Sequence, residues 1–265
     1  MNRAIGLAAL TVLELAPPEQ VTVAAQAGHS HVGLRLIPVA AQLLPAFEPR
    51  ELERRLDDTG IRVPDVEVFR LAPPTQVADF EPVVAAAARL RASELLVHGA
   101  DADEARLADS FGQLCDLAAG YGLNANLEPM PWVDVSNLAK AKRLLAAVNR
   151  SNAALLVDAI HFFRAGDSFG ELKGVHCKYT QLCDAPAERP ADLQEIIRQA
   201  RAERLFPGEG GLDLRGLMAA LPAGLPVSLE VPCARPMSPL ERARRALEAT
   251  RKLLSVLPDP GGRTA

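Results

Sequence analysis

Leu123-Asn124-Ala125-Asn126-Leu127-Glu128 alternates apolar and polar side chains over six positions, and the sequence on either side of it follows the same plan. A period of two marks a strand with unlike faces, here Asn124, Asn126 and Glu128 against Leu123, Ala125 and Leu127. Upstream, 104–120 carries helical spacing behind Asp101 or Asp103, and downstream a second helix opens at Ser136 or Asn137. Working outward in both directions, the same reading predicts strands at 4–10, 31–37, 63–71, 94–98, 123–130, 153–158, 177–182 and 226–231. Helical patterns lie between and after them at 18–27, 49–59, 80–91, 104–120, 136–149, 191–202 and 239–256, with a short piece at 162–169. Eight strand–helix units in 265 residues predict an α/β chain folded as a single (β/α)8 barrel, a fold of ~250 residues. An open doubly wound sheet is the competitor, yet no strand runs into a G-x-G-x-x-G turn, and Gly208-Glu209-Gly210-Gly211 follows Pro207 in a loop. No repeat or linker divides the chain, so 1–257 reads as one barrel domain and 258–265 as a frayed tail.

Composition removes several classes of function. With 49% hydrophobic and 23% charged residues the chain is neither disordered nor fibrous, and a net charge of -4 provides no general attraction for nucleic acid. Cys115, Cys177, Cys183 and Cys233 form no C-x-x-C pair and are too sparse for a disulfide framework, which suits reduced thiols in the cytoplasm. Arg3, the apolar run after it and Ala25-Gln26-Ala27 imitate an export signal, but Glu14 and Glu19 count against one and a first strand plus helix explains the same residues. No apolar run approaches the ~20 residues needed to cross a bilayer, so a soluble protein without membrane partners is expected.

The last four predicted strands carry a carboxylate or amide at or near their C-terminal ends: Glu128, Asp158, Gln181 and Glu230. In a parallel barrel those ends meet on one rim, where the βα loops build the active site. Isolated, each would read as a strand end or a cap. Together, three converging carboxylates repel one another and raise their own pKa values unless a cation lies between them. An oxygen-rich set suits Mn²⁺, Mg²⁺ or Co²⁺ better than a thiolate site does, and Zn²⁺ is also compatible.

Leu127-Glu128-Pro129-Met130-Pro131-Trp132, Val157-Asp158-Ala159-Ile160-His161, Gln181-Leu182-Cys183-Asp184-Ala185-Pro186, Pro207-Gly208-Glu209-Gly210 and Leu229-Glu230-Val231-Pro232, with Ala27-Gly28 and Val32-Gly33-Leu34-Arg35 near the start, resemble the sugar phosphate isomerase/epimerase family of xylose isomerase-like TIM barrels. The resemblance spans about the whole chain. It implies one divalent metal held by Glu128, Asp158, Gln181 and Glu230, with glutamine standing where many members have histidine. It further implies that Glu128 and Glu230 pass a carbon-bound proton through a metal-stabilised enediolate, and that His161 contacts a substrate oxygen. Paired carboxylates and a Lewis acid are what such chemistry requires.

Other candidates for the substrate are Arg204 and Glu209, flanking Pro207-Gly208 in a segment resembling the family's R-x-x-P-G-E-G cover, Trp132 as a wall, and Arg35, which Glu67 could equally neutralise as a buried pair. His29, His31 and His98 are candidates for extra metal ligands, but their scatter favours core or rim histidines. The expected function is a metal-dependent isomerase or epimerase of a small keto-sugar, cyclitol or related polyol. A dehydratase of dehydroshikimate or keto-inositol type uses the same enolate and is the alternative, and a catalytically degenerate sugar-binding or partner barrel is a further one. The phosphodiesterase branch, with three zinc ions, fits poorly because its D-x-H pair after strand seven is missing and the chain is acidic. Rim loops are a natural surface for a homodimer, which no sequence feature tests.

Overall fold

The computed structural model describes residues 3–38 and 44–256. Eight parallel barrel strands follow in chain order: β1 (Ile5–Leu7), β2 (His31–Val32, resuming after Gly33 as Leu34–Arg35), β3 (Asp65–Leu71), β4 (Glu94–Gly99), β5 (Asn124–Leu127), β6 (Ala153–Leu155, resuming after Leu156 as Val157–Asp158), β7 (Thr180–Leu182) and β8 (Val227–Leu229). The ladder is not hydrogen-bonded all the way round. It forms two five-stranded arcs, because β2 pairs with β1 before its break and β3 after it, while β6 turns likewise from β5 to β7. The backbones of β2 and β6 join the arcs, and β8 pairs with β1. The expected first strand is therefore present, shorter than predicted, and Thr11 fastens it by donating to Leu229 O at 2.7 Å while accepting from Val231 N at 2.8 Å.

Around the ring lie α1 (Pro17–Ala27), α2 (Pro49–Thr59), α3 (Glu81–Arg89), α4 (Glu104–Gly120), α5 (Leu138–Val148), α6 (Ala159–Ala165), α7 (Leu193–Ala202), α8 (Leu214–Ala220) and α9 (Pro239–Ser255). Of the alternative caps, Asp103 opens α4 and Asn137 opens α5, each accepting hydrogen bonds from backbone N–H groups that the helix leaves unpaired. Two helical expectations need correction. The piece predicted at 162–169 begins earlier, because Asp158 both ends β6 and caps α6 by accepting from His161 N at 3.2 Å, so strand passes into helix without a loop. The unpredicted α8 has only seven residues and is capped by Asp213 just after the glycine-rich loop. The predicted tail at 258–265 lies outside the described residues.

Alternation along the strands divides the buried side chains into two sets. Leu95, Val97, Leu127, Leu155, Val157, Leu182 and Leu229 belong to the large core shared with the helices, each leucine contributing about 1.5–3 kcal/mol by burial. Val68, Leu96, Leu156 and Tyr179 form a separate small cluster, the apolar plug of the lumen. At Gly33 the break in β2 meets Asp65, whose Oδ2 would lie 2.4 Å from any Cβ placed there. Asp65 is buried with neither oxygen hydrogen-bonded, and burial pushes its carboxyl well above the ordinary range, so it is held as the neutral acid.

Candidate active site

Two residues beyond the apolar plug, at the C-terminal ends of the strands, the inward face turns polar. Val68 is followed by Arg70 on β3 and Leu96 by His98 on β4; Glu128 follows β5 directly, and Glu230 follows β8. All four polar residues line one cavity of about 290 Å³, together with Leu10, Arg35, Met130, Trp132, His161, Ala200, Arg201 and Arg204. Parallel pairing sets Arg70 beside His98 in register.

Glu128 is 3% exposed. Its Oε2 lies 2.7 Å from His98 Nε2, while Oε1 lies 3.7 Å from His161 Nε2 and has no hydrogen-bond partner. Burial first, then the charge of Asp158, hold its carboxyl well above the usual range. His98 and His161 are both pushed down to about 3 and are neutral near pH 7, burial being the largest cause in each. For His98 the positive charges of Arg35, Arg70 and Arg201 add to that effect. Trp132 meets His161 edge to face, with ring centroids 4.9 Å apart.

Across the cavity, Arg204 binds two of the predicted carboxylates at once. One guanidinium nitrogen lies 2.6 Å from Asp158 Oδ2 and the other 2.7 Å from Glu230 Oε2, while Nε donates to Ala200 O at 2.7 Å. All three side chains are buried, so Arg204 is an internal cation at the rim. For Asp158, burial is the largest influence and works upward, but the charges of Arg204 and His161 and the hydrogen bonds from both residues together outweigh it, and the carboxyl sits below the usual range. Glu230 remains well above it, burial dominating the pull of Arg204. Gln181 Nε2 donates to Glu230 Oε1 at 3.3 Å, and the Gln181 amide oxygen is buried without a partner.

The loop carrying Arg204 is clamped from below by Asp184. Its carboxylate accepts from Ala185 N at 2.8 Å, Gly208 N at 2.9 Å and Leu212 N at 3.1 Å. Gly210 is required there, since a Cβ would lie 2.3 Å from Asp184 Oδ1 and 2.4 Å from Ala185 O.

Of the residues singled out in the sequence, Glu128, Glu230, His161, Trp132, Arg35 and Arg204 meet at the cavity. Asp158 and Gln181 are buried against it through Arg204 and Glu230. Arg35 does pair with Glu67, at 2.7 Å. Glu209 is not brought to the cavity; it pairs with Arg235 and Arg245 at 2.5 and 3.1 Å, on the exposed side of its loop. Glu128, Asp158 and His161 each offer a ligand atom within 4.8 Å of the others, a grouping that differs from the expected Glu128, Asp158, Gln181 and Glu230. Arg70 and Arg201 are polar cavity residues that sequence reasoning passed over, whereas His98, read there as a core or rim histidine, stands at the cavity; the i, i+2 spacing from Val68 and Leu96 marks Arg70 and His98. No helix among the described residues is long and apolar enough to cross a membrane.

Comparison with known proteins follows the same lines. The chain is 34% identical over 136 residues to a 3-dehydroshikimate dehydratase of Pseudomonas aeruginosa, covering 49% of this chain and 21% of that protein. It is 27% identical over 115 residues to an inosose isomerase of Bacillus subtilis, covering 43% of this chain and 40% of that one. The chain thus spans well under half the length of either curated relative. Among solved structures it superposes with a TM-score of 0.78 on the IolI protein with a bound zinc atom, at 18% identity and covering 95% and 98% of the two chains. The model of the xylose isomerase-like TIM barrel matches residues 21–253, and the chain belongs to that family.

Proposed function

We propose that this chain is an isomerase or epimerase that moves a carbon-bound proton on a small polyhydroxylated ketone, a keto-sugar, cyclitol or related polyol. The observation that carries this reading is the pair Glu128 and Glu230: two buried carboxyls lining one cavity, each with proton affinity above that of an ordinary glutamate. A group that takes a proton from carbon near neutral pH and returns it needs that affinity. In this reading Glu128, oriented by His98, removes the proton beside the carbonyl, and Glu230, held by Arg204 and Gln181, delivers it to the rearranged product. Trp132 and His161 form a wall that orients the ring or chain of the substrate and excludes water.

Glu128, Asp158 and His161 fit a divalent cation, because their donor atoms are close together and Glu128 Oε1 is buried without a hydrogen-bond partner. Two carboxylates and an imidazole suit Mn²⁺, Mg²⁺ or Co²⁺, and Zn²⁺ as well. When bound, the ion supplies positive charge to a carbonyl oxygen as the enediolate forms. The four free cysteines agree with a cytoplasmic setting.

The test is exchange of substrate hydrogen with deuterated water across a panel of ketoses and keto-inositols. Glu128→Gln and Glu230→Gln should each lower the exchange rate about 10²–10⁴-fold with the circular dichroism unchanged. Full activity in either variant would remove the two-glutamate mechanism. A dehydratase is the second reading, favoured by the 34% identity to the 3-dehydroshikimate dehydratase. It would eliminate a hydroxyl from the same enolate, and a conjugated product absorbing in the near ultraviolet would identify it.

A further inference from the structure

The three carboxyls at the rim are not equally available. Glu128 Oε1 is buried without a hydrogen-bond partner, whereas both oxygens of Asp158 and both of Glu230 are engaged. Asp158 Oδ1 accepts from His161 N at 3.2 Å and Oδ2 from a guanidinium nitrogen of Arg204 at 2.6 Å. Glu230 Oε2 lies 2.7 Å from the other guanidinium nitrogen, and its Oε1 accepts from the Gln181 amide at 3.3 Å. Arg204 is no surface arm folded inward. Its Nε donates to Ala200 O at 2.7 Å, its backbone N–H donates to Pro232 O at 3.0 Å, and the next residue, Leu205, exchanges two backbone hydrogen bonds of 2.8 Å with Asp184. The fold thus delivers a fixed positive charge onto two carboxyl groups at once.

Asp158 also belongs to the trio with Glu128 and His161 whose donor atoms lie within 4.8 Å of one another. An ion seated there and the guanidinium would share one carboxylate, two cations side by side where burial leaves little water to screen them. His161 brings such an ion a lone pair but no negative charge. Binding of the ion is therefore set against a resident charge: either both stay and the ion is held weakly, or Arg204 gives up Asp158. Gln181 favours the resident, because its amide turns Nε2 to Glu230 and holds that carboxyl on the arginine's side.

We propose that Arg204 is an internal cation that competes with the divalent ion for Asp158 and so sets how tightly this chain holds its metal. This rests on the metal site of the reading above and deepens it. The test is Mn²⁺ binding to the full chain after removal of metal by a chelator and of the chelator by dialysis. Calorimetry reads the affinity, and the fluorescence of Trp132, the single tryptophan, reports the ion independently because its ring lies 4.9 Å from that of His161. Arg204→Met should bind Mn²⁺ at least about tenfold more tightly than the parent, and Arg204→Lys, which keeps the charge, should stay within about threefold of it. Because Arg204→Met leaves two buried carboxyls uncompensated, the comparison is repeated on a Glu230→Gln background, where only Asp158 is left so. Arg204→Met should again tighten binding about tenfold relative to Glu230→Gln alone. Unchanged or weaker affinity on both backgrounds, or no Mn²⁺ binding to any of these proteins, overturns the proposal. Its failure is distinct from failure of the proton-transfer reading. Ketose exchange that depends on Glu128 and Glu230, with Mn²⁺ affinity indifferent to Arg204, sinks only the competition; tighter Mn²⁺ binding in Arg204→Met without exchange on any ketose sinks only the chemistry.

Discussion

Arg204 is the residue on which the rim depends. Its guanidinium compensates Asp158 and Glu230 in a site from which water is excluded, and removing one member of such a buried set leaves charge without a partner. Arg204→Met is expected to cost about 3–5 kcal/mol in chemical denaturation with chelator present. A loss below about 1 kcal/mol would mean that the two carboxyls are protonated and need no cation. Little of this was legible in the sequence. Arg204 stood out as part of a loop motif, but nothing local connects it to residues 46 positions earlier and 26 later. Glu209, in the same motif, faces the other way because Arg235 and Arg245 hold it, a pairing equally invisible to local reading.

At the level of elements, the chain between β7 and β8 is a rigid shelf, since one carboxylate, that of Asp184, gathers three backbone N–H groups. Gly210→Ala would force a methyl into Asp184 and the Ala185 carbonyl, displacing backbone as well as side chain. We expect a stability loss of about 1–3 kcal/mol together with weaker substrate binding, read from denaturation midpoints and KM. An unchanged KM would separate the shelf from the site. A second element-scale prediction concerns His29, at the end of α1, whose Nε2 lies 3.1 Å from Ala243 O of α9. Burial lowers its pKa from 6.5 to about 4. Between those values the unfolded chain takes up a proton that the folded chain refuses, so stability is lost as pH falls from 6.5 toward 4 and is constant in this respect above 6.5. His29→Gln should flatten that part of the stability curve by on the order of 2–3 kcal/mol relative to the parent. Parallel curves for the two proteins would show that His29 is solvated. Element boundaries were readable wherever caps and periodicity agreed, as at Asp103 and Asn137. They failed at α6, where Asp158 serves strand and helix together, and at α8, too short to show a period behind four loop residues rich in glycine.

For the whole molecule, the barrel was readable because alternating strands and amphipathic helices recur around the entire ring. The two interruptions at Gly33 and Leu156 were not, since hydrogen bonding shifts there from one neighbour to the other without any change of sequence character. Global stability should report on the metal directly. A divalent ion bound only by the folded chain, at a free concentration of about 100 times its dissociation constant, adds about 2.7 kcal/mol. For a chain of this size that is a rise in Tm of roughly 5–10 °C over the chelated protein. No shift with Mn²⁺, Mg²⁺, Co²⁺ or Zn²⁺ would leave Arg204 as the site's resident cation. The contact between Gly33 and Asp65 has a consequence for how this chain can diverge. Any side chain at 33 must occupy space already taken by the Asp65 carboxyl, whereas shortening 65 obstructs nothing at 33. The two positions can therefore change in one order only: 65 must shrink before 33 can grow, and a lineage that acquires the second substitution first passes through a barrel with its second strand pushed out of line.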